Sequence, residues 1–453
     1  MRIEINTAKS RIVTDNPKII QALVKLYSFK VPGSEYSPSY RRRGWDGKKH
    51  FISKSGVFRT GLLPRILQDL KKIDCSPELP EVEKKDYDPL PIDTIPYYDY
   101  QKELIKKALQ DKRGVIKSPT GSGKTLITAG IIKSLASKHK KMIVLFNAKQ
   151  LLTQTYEFLD KVCNLENLGI CYGEGYFNGD IMLCTVQSIE KVLDSHLQEA
   201  EVLIIDEVHE FCNGKTTLAV IESFPNAQYR IGLTATPPSD PIPRYNLEGA
   251  LGPVWESVST SSLIKDGKLT KPVIQLIKSD EFDPIDDNLT YGEIYDKYIV
   301  TNANRNNKIK EIVDLIKESH KNSKILILTK SLEHTSILHG IINNSFKLQG
   351  EDDIGKRYKT ISDFLNTKSS SVLIGTKILQ TGVNIEEITH LINARGLKSE
   401  VATIQALGRA LRKHESKDQV YVYDFMDNAK YLQAHSKARK VYYTKENHEV
   451  TEL

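Results

Sequence analysis

Val115-Ile116-Lys117-Ser118-Pro119-Thr120-Gly121-Ser122-Gly123-Lys124-Thr125-Leu126-Ile127-Thr128-Ala129-Gly130-Ile131-Ile132 decides the fold. A short apolar run leads into a turn holding two glycines, and an apolar stretch with helical character follows. Strand, glycine-rich turn and helix together form the context of a P-loop. Gly121 and Gly123 leave the backbone N–H groups free to wrap phosphates at a helix N-terminus, where the helix dipole is positive. Lys124 is expected to reach the β and γ phosphates of ATP, and Thr125 to ligate Mg²⁺. Ser118 stands where the general pattern carries its first glycine. The expected cradle is Ser118, Pro119, Thr120, Gly121, Ser122, Gly123, Lys124 and Thr125.

Such a cradle needs a carboxylate at the end of a neighbouring buried strand. Val202-Leu203-Ile204-Ile205-Asp206-Glu207-Val208-His209 supplies one, with Asp206 lying 82 residues (206 minus 124) beyond Lys124. Asp206 is expected to hold Mg²⁺ through water, and Glu207 to orient or deprotonate the attacking water. Near the end of the chain, Gln405-Ala406-Leu407-Gly408-Arg409-Ala410-Leu411-Arg412 places Gln405, Gly408, Arg409 and Arg412 at offsets 0, 3, 4 and 7. On a helix those offsets share one face. Two arginines on a stripe suit a polyphosphate. A glycine inside a helix costs about 1 kcal/mol relative to alanine, which points to a close approach there.

Around these stretches the chain alternates strand and helix. Apolar runs at 114–117, 141–146, 180–185, 202–206 and 229–233 are separated by helical patterns, notably 125–137 and 149–161. A second set follows at 324–329, 372–376, 389–393 and 419–425. Alternation of this kind predicts parallel sheets covered on both faces. Binding residues then belong at the C-terminal ends of strands. Residues 76–96 carry Pro77, Pro80, Pro89, Pro91 and Pro96 and read as a linker; a second join is expected near 256–275, around Gly267 and Pro272. The chain of 453 residues is thus α/β, with two P-loop-type parallel-sheet domains in tandem behind a small N-terminal α/β domain. The boundaries are 1–88, 89–262 and 263–453.

Composition narrows the class. Forty per cent hydrophobic residues suit a soluble globular protein, and no run of 18 apolar residues suggests a membrane span. The amino terminus, Met1-Arg2-Ile3-Glu4-Ile5, alternates like a strand and lacks a signal-type apolar core. Cysteines at 75, 163, 171, 184 and 212 never form C-x-x-C, so neither zinc nor a disulfide framework is expected, and a cytoplasmic setting follows. Net charge is +7, a mild indication of a polyanionic partner. Arg41-Arg42-Arg43-Gly44-Trp45-Asp46-Gly47-Lys48-Lys49-His50 concentrates five of the positive charges around one tryptophan. Read functionally, this is a phosphate-binding loop with an aromatic platform; read plainly, it is a solvated turn.

In this order, 118–125, 206–209, Thr234-Ala235-Thr236 and 405–412 resemble motifs I, II, III and VI of the superfamily 2 helicases. Tyr100-Gln101 resembles the adenine-reading glutamine upstream of the P-loop; 147–154 resembles motif Ia; Thr185-Val186-Gln187 resembles the next DNA-contacting motif; and 376–385, with Gly382, resembles motif V. The resemblance spans about residues 95–430. It implies two RecA-like domains and an ATP-dependent motor on nucleic acid, with Arg412 as the finger on the γ-phosphate and Arg409 beside it. It implies that His209, Thr234 and Thr236 couple hydrolysis to movement. It also implies that Thr153, Thr185, Gln187, Thr329, Lys330 and Thr376 touch the sugar-phosphate backbone. Asn384 stands where many relatives carry Asp, which leaves nucleoside contact there open.

The motor part and the basic N-terminal loop (Arg41, Arg42, Arg43, Trp45, Lys48, Lys49) together look most like the UvsW-type branch-migration helicases of phage, and more distantly like XPB and RecG-like motors. The implied activity is ATP- and Mg²⁺-dependent unwinding or branch migration of forks, Holliday junctions and strand-invasion loops. The implied partners are branched or double-stranded DNA, with single-stranded DNA in the motor channel of a monomer. An RNA helicase, a duplex translocase without strand separation and an ATP-switched DNA clamp are the alternatives.

Overall fold

The computed structural model describes residues 1–80, 87–139, 141–192, 194–211, 215–256, 258–279, 289–349, 352, 354–376 and 385–453. It divides into two compact units, one of 1–118 with 123–257, the other of 119–122 with 258–453.

The first unit is built on an eight-stranded sheet. Its order is Val254–Glu256, Arg113–Lys117, Tyr229–Thr234, Val202–Ile205, Met142–Phe146, Ile181–Thr185, Leu168–Tyr172 and Gly175–Phe177. Every neighbouring pair is parallel except the last. The unbroken apolar runs are explained by burial on both faces. Along Val202–Ile205, Val202 and Ile204 enter one core with Ile105, Ile127 and Ile131. Leu203 and Ile205 enter the other with Phe211, Leu247 and Leu251. The predicted strands at 114–117, 141–146, 180–185, 202–206 and 229–233 are all present within a residue of their expected ends. The helices are present as Lys124–Ala136, within a residue of expectation, and Lys149–Cys163, two residues longer at its end.

The second unit carries a seven-stranded, all-parallel sheet in the order Ser345–Leu348, Ser371–Gly375, Lys324–Leu328, His390–Asn393, Gln419–Met426, Lys271–Lys278 and Val450–Glu452. Pro272, read from the sequence as part of a join, is instead the second residue of the strand Lys271–Lys278, paired in register with Val420. Gly267 does lie in a turn, at φ +66°.

The N-terminal residues form a three-stranded antiparallel sheet of Arg2–Glu4, Lys9–Val13 and Val57–Arg59, and a hairpin of Ser28–Lys30 with Lys48–His50. Their small core (Ile3, Ile12, Tyr27, Phe58, Ile66 and Leu70 among others) is completed by Ile242 and Tyr245 of the helix Pro241–Leu251. The Tyr245 ring lies 4.7 Å from Phe29, 5.3 Å from Phe51 and 5.6 Å from Tyr27. Arg65 and Arg244 both pair with the buried carboxylate of Glu248, at 2.7 and 2.6 Å. Backbone approach is close here: a Cβ on Gly61 would stand 2.1 Å from the Glu248 carbonyl oxygen. The N-terminal sheet is therefore fixed to the rest of the first unit by packing and by a buried charge. Among the described residues no helix is long and apolar enough to cross a membrane.

Candidate nucleotide and nucleic-acid sites

The strand Arg113–Lys117 ends in the P-loop, whose first residue, Ser118, is buried and donates its N–H to the Thr234 carbonyl at 2.9 Å. The glycine-rich turn is thereby tied to the end of the strand Tyr229–Thr234. Gly123 sits at φ +79°, a left-handed conformation that glycine adopts without strain. It also caps the helix Lys124–Ala136. A Cβ there would lie 2.5 Å from Gln101 Nε2, so that side-chain amide would have to shift.

Lys124, the first residue of that helix, pairs with Glu207 at 3.1 Å, Nζ to Oε1. Asp206 follows the strand Val202–Ile205 and accepts a hydrogen bond from the Glu207 N–H at 3.0 Å. Burial, and then the neighbouring Glu207 charge, push the Asp206 carboxyl above its ordinary value. Burial pushes Glu207 the same way, but the Lys124 charge and the contact with His209 outweigh it and hold Glu207 ionised. Glu207 occupies φ +45°, unusual for a residue with a Cβ, and such outliers collect at functional sites.

From Glu207 the contacts run on to the residues expected to couple hydrolysis to movement. His209 Nδ1 lies 3.4 Å from Glu207 Oε2 and 2.8 Å from Thr234 Oγ1, and Thr234 Oγ1 accepts from the Thr236 N–H at 3.1 Å. Lys124, Glu207, His209, Thr234 and Thr236 thus form one continuous path inside the first unit. Thr125 is exposed at the start of its helix, beside this path in sequence. Gln101 is buried, and its Oε1 accepts from the Tyr98 N–H at 2.9 Å, so in this conformation it closes the first turn of its own helix, Asp99–Asp111.

In the second unit Gln405, Gly408 and Arg409 lie on the helix Glu400–Ala410. Arg412 does not share that stripe, because the helix stops before it. Thr270 donates its N–H to the Leu411 carbonyl at 2.8 Å, and Arg412 forms an antiparallel bridge with Leu269. That pairing draws the chain out of helical geometry. The helix end is held by Lys417, a buried residue that the sequence did not single out. Its Nζ donates to the carbonyls of Ala410 at 2.8 Å and Ile388 at 3.0 Å. Burial, only partly offset by Glu386 and Glu387, lowers the Lys417 ammonium to about 8. Within the same unit, Gly408 meets the close approach expected of it: a Cβ there would lie 2.7 Å from Thr120 Cβ.

The expected nucleic-acid residues separate into two groups. Three hydroxyls are committed internally: Thr153 to the Lys149 and Gln150 carbonyls, Thr185 to Ser188 Oγ and Thr329 to Thr335 Oγ1. Thr185 and Thr329 are also buried. Gln187 and Lys330 are exposed, and Thr376 is half-buried after the strand Ser371–Gly375. Gly382 and Asn384 lie outside the described residues. In the N-terminal hairpin Arg41, Arg42, Arg43, Lys48 and Lys49 are all exposed. A cavity of about 580 Å³ is lined there by Glu35, Tyr40, Arg41, Arg43 and Trp45. Trp45 is locked by its Nε1–H donating to the Lys48 carbonyl at 2.9 Å.

Comparison with known proteins agrees with this geometry. The family described as "Type III restriction enzyme, res subunit" matches residues 94–239, and the "Helicase conserved C-terminal domain" matches 307–414. The ATP-dependent DNA helicase uvsW of Enterobacteria phage T4 is 25% identical over 438 residues, covering 89% of this chain and 86% of the relative. The DNA 3'-5' translocase XPB2 of Sulfurisphaera tokodaii is 26% identical, covering 77% and 86%. Among solved structures, the fragment of a putative HsdR subunit of a type I restriction enzyme from Vibrio vulnificus shares the fold, with a TM-score of 0.62 and 21% identity over 90% of this chain and 76% of that one.

Proposed function

We propose that this chain, which belongs to the superfamily 2 helicases and is an ATP-hydrolysing DNA helicase, unwinds or branch-migrates branched DNA such as forks, Holliday junctions and strand-invasion loops. The domains in this reading are 1–88 for gripping DNA, 89–262 for the P-loop motor half and 263–453 for the second motor half. The observation that carries the motor reading is the run of contacts, at 3.1, 3.4, 2.8 and 3.1 Å, from Lys124 through Glu207 and His209 to Thr234 and Thr236. It links the residue that would hold the γ-phosphate to those that would report its loss.

In this reading Lys124 binds the β and γ phosphates, Glu207 receives the proton of the attacking water, and Gln405, Arg409 and Arg412 act on the same nucleotide from the second domain. Arg412 is the finger, an element worth roughly 10³–10⁵ in rate. Mg²⁺ fits the donors present: Thr125 offers a hydroxyl and Asp206 a carboxylate. Two partly buried carboxyls side by side next to Lys124 favour a divalent cation. Among the described residues no cluster of three or more His, Cys, Asp or Glu could hold a metal. The ion would supply charge neutralisation on the phosphates.

Preference for branched DNA is supported by similarity to the phage helicase over 89% of the chain and by the basic hairpin with its fixed tryptophan. The test compares ATP-dependent unwinding of a blunt duplex, a tailed duplex, a fork and a four-way junction. Faster turnover on the fork and the junction is expected. Equal rates on all four refute the preference, and activity confined to RNA duplexes overturns the reading.

A further inference from the structure

Three loops at the C-terminal edge of the second sheet bring aromatic rings and cations together. Lys330 follows the strand Lys324–Leu328, Lys398 follows His390–Asn393, and Lys430 with Tyr431 follow Gln419–Met426. The Lys330 ammonium lies 4.2 Å from the Tyr295 ring centre and 5.4 Å from that of Tyr291. Lys430 lies 5.6 Å from the Tyr431 ring. Tyr291 in turn packs edge-on against Tyr431 at 6.2 Å and, tilted, against His435 at 5.6 Å.

Tyr431 is 47% exposed although its neighbours Ala429 and Leu432 are fully buried. Its backbone sits at φ +64°, ψ −42°, and the Leu432 N–H donates to the Lys430 carbonyl at 2.8 Å. This is a three-residue turn of the strained hand, which a bulky side chain seldom adopts. The ring is held out to solvent on a conformation that disfavours it, and strain of this kind points to use. Burial, followed by the cations Arg439, Lys398 and Lys330, lowers the imidazole of His435 beside it from its ordinary value, although the hydrogen bond with the Gly396 carbonyl acts the other way.

We propose that Tyr431, buttressed by Tyr291, with Lys430 beside its own ring and Lys330 beside that of Tyr291, is a stacking platform for one base of single-stranded DNA. An exposed aromatic face accepts any base, and surrounding ammonium groups take the adjoining phosphates, the combination that single-strand binding uses. Duplex DNA presents no free base face, so the site selects strands already separated. The inference rests on the reading of the chain as a DNA-dependent motor.

The test measures binding of a dye-labelled oligothymidylate and of an abasic deoxyribose-phosphate strand of equal length, together with the ATP turnover each stimulates, in the full chain. Wild type and Tyr431→Phe are expected to prefer the base-bearing strand. Tyr431→Ala is expected to lose about 5- to 10-fold of that preference, the low end for one stacked base. Its affinity for the abasic strand and its DNA-free turnover should be unchanged, and retained basal turnover certifies that the variant folds. Lys330→Gln should weaken both strands equally. Undiminished preference for bases in Tyr431→Ala overturns the platform while leaving the motor reading intact. Wild-type turnover that no DNA stimulates overturns the motor reading and the platform together.

Discussion

Replacing Glu207 by Gln should separate nucleotide binding from turnover in opposite directions. The Lys124–Glu207 pair is 3.1 Å long, with side chains 14% and 18% exposed. At that separation the attraction is about 5 kcal/mol for an effective dielectric near 20 and about 1.3 kcal/mol for bulk water. Lys124 must give up part of this attraction to reach a phosphate, and the Glu207 charge also repels the phosphate. Even the bulk-water bound corresponds to roughly tenfold in affinity. Gln keeps the size and the left-handed backbone, so the strain at φ +45° is the same in both proteins. Glu207→Gln is therefore expected to bind ATP about tenfold more tightly while losing about 10²–10⁴ in turnover, the usual scale for general-base removal. Titration with a fluorescent nucleotide measures the first and phosphate release the second. Turnover near wild type refutes the base assignment; unchanged affinity refutes the claim that Glu207 competes with phosphate for Lys124.

Arg412→Ala should retain ATP binding and abolish hydrolysis, read by the same two assays, whereas Lys124→Ala should lose both. Lys417→Met removes the donor to the Ala410 and Ile388 carbonyls, leaving two buried acceptors at about 1–3 kcal/mol each, and should lower the melting temperature together with turnover. Lys417 also gives a pH signature. Its ammonium titrates near 8 when folded and near 10.4 in an unfolded chain, so between those values the unfolded state binds more protons. This group's contribution to stability therefore rises with pH across that window, and melting curves of Lys417→Met should lack the rise. Gly61→Ala places a methyl group where the Glu248 carbonyl already lies and should cost about 1–3 kcal/mol of stability in thermal denaturation; an unchanged midpoint would mean that the N-terminal sheet parts freely from the helix Pro241–Leu251.

What was legible in the sequence was local. Gly121 and Gly123 before Lys124, and Asp206 after four apolar residues, announce strand ends because the backbone and the strand period dictate those residue types. The parallel sheets followed from alternation, since strands buried on both faces have nearly continuous apolar sequence. What escaped depends on partners far along the chain. Lys417 matters only because Ala410 and Ile388 turn their carbonyls toward it. Arg412 leaves the helical stripe because Leu269 and Thr270, more than 140 residues earlier, take up the backbone beside it. Thr153, Thr185 and Thr329 stand at the expected strand ends and helix starts, yet their hydroxyls are spent on near neighbours, which a motif cannot reveal. Pro272 looked like a breaker, but one proline at the start of a long strand removes only a single ladder donor.

The attachment of the N-terminal sheet changes how the motor's parts connect. The path from Lys124 reaches Thr236, and Pro237 and Pro238 follow at once. Two prolines stiffen the backbone by fixing φ, so displacement at Thr236 is passed on with little slack. A few residues later the helix Pro241–Leu251 begins, and its Tyr245 and Glu248 are the anchor for Phe29, Phe51, Arg65 and Gly61. The hairpin bearing Arg41 to Lys49 is built on that same aromatic cluster, because Phe29 pairs with Lys49 across its two strands. The chemistry at Glu207 and the basic hairpin are thus joined through one stiff turn and one helix inside a single compact unit. A flexible tether would let the hairpin hold DNA without sensing the nucleotide. In the reading proposed above, a docked one makes its grip on DNA and the state of Glu207 parts of the same equilibrium.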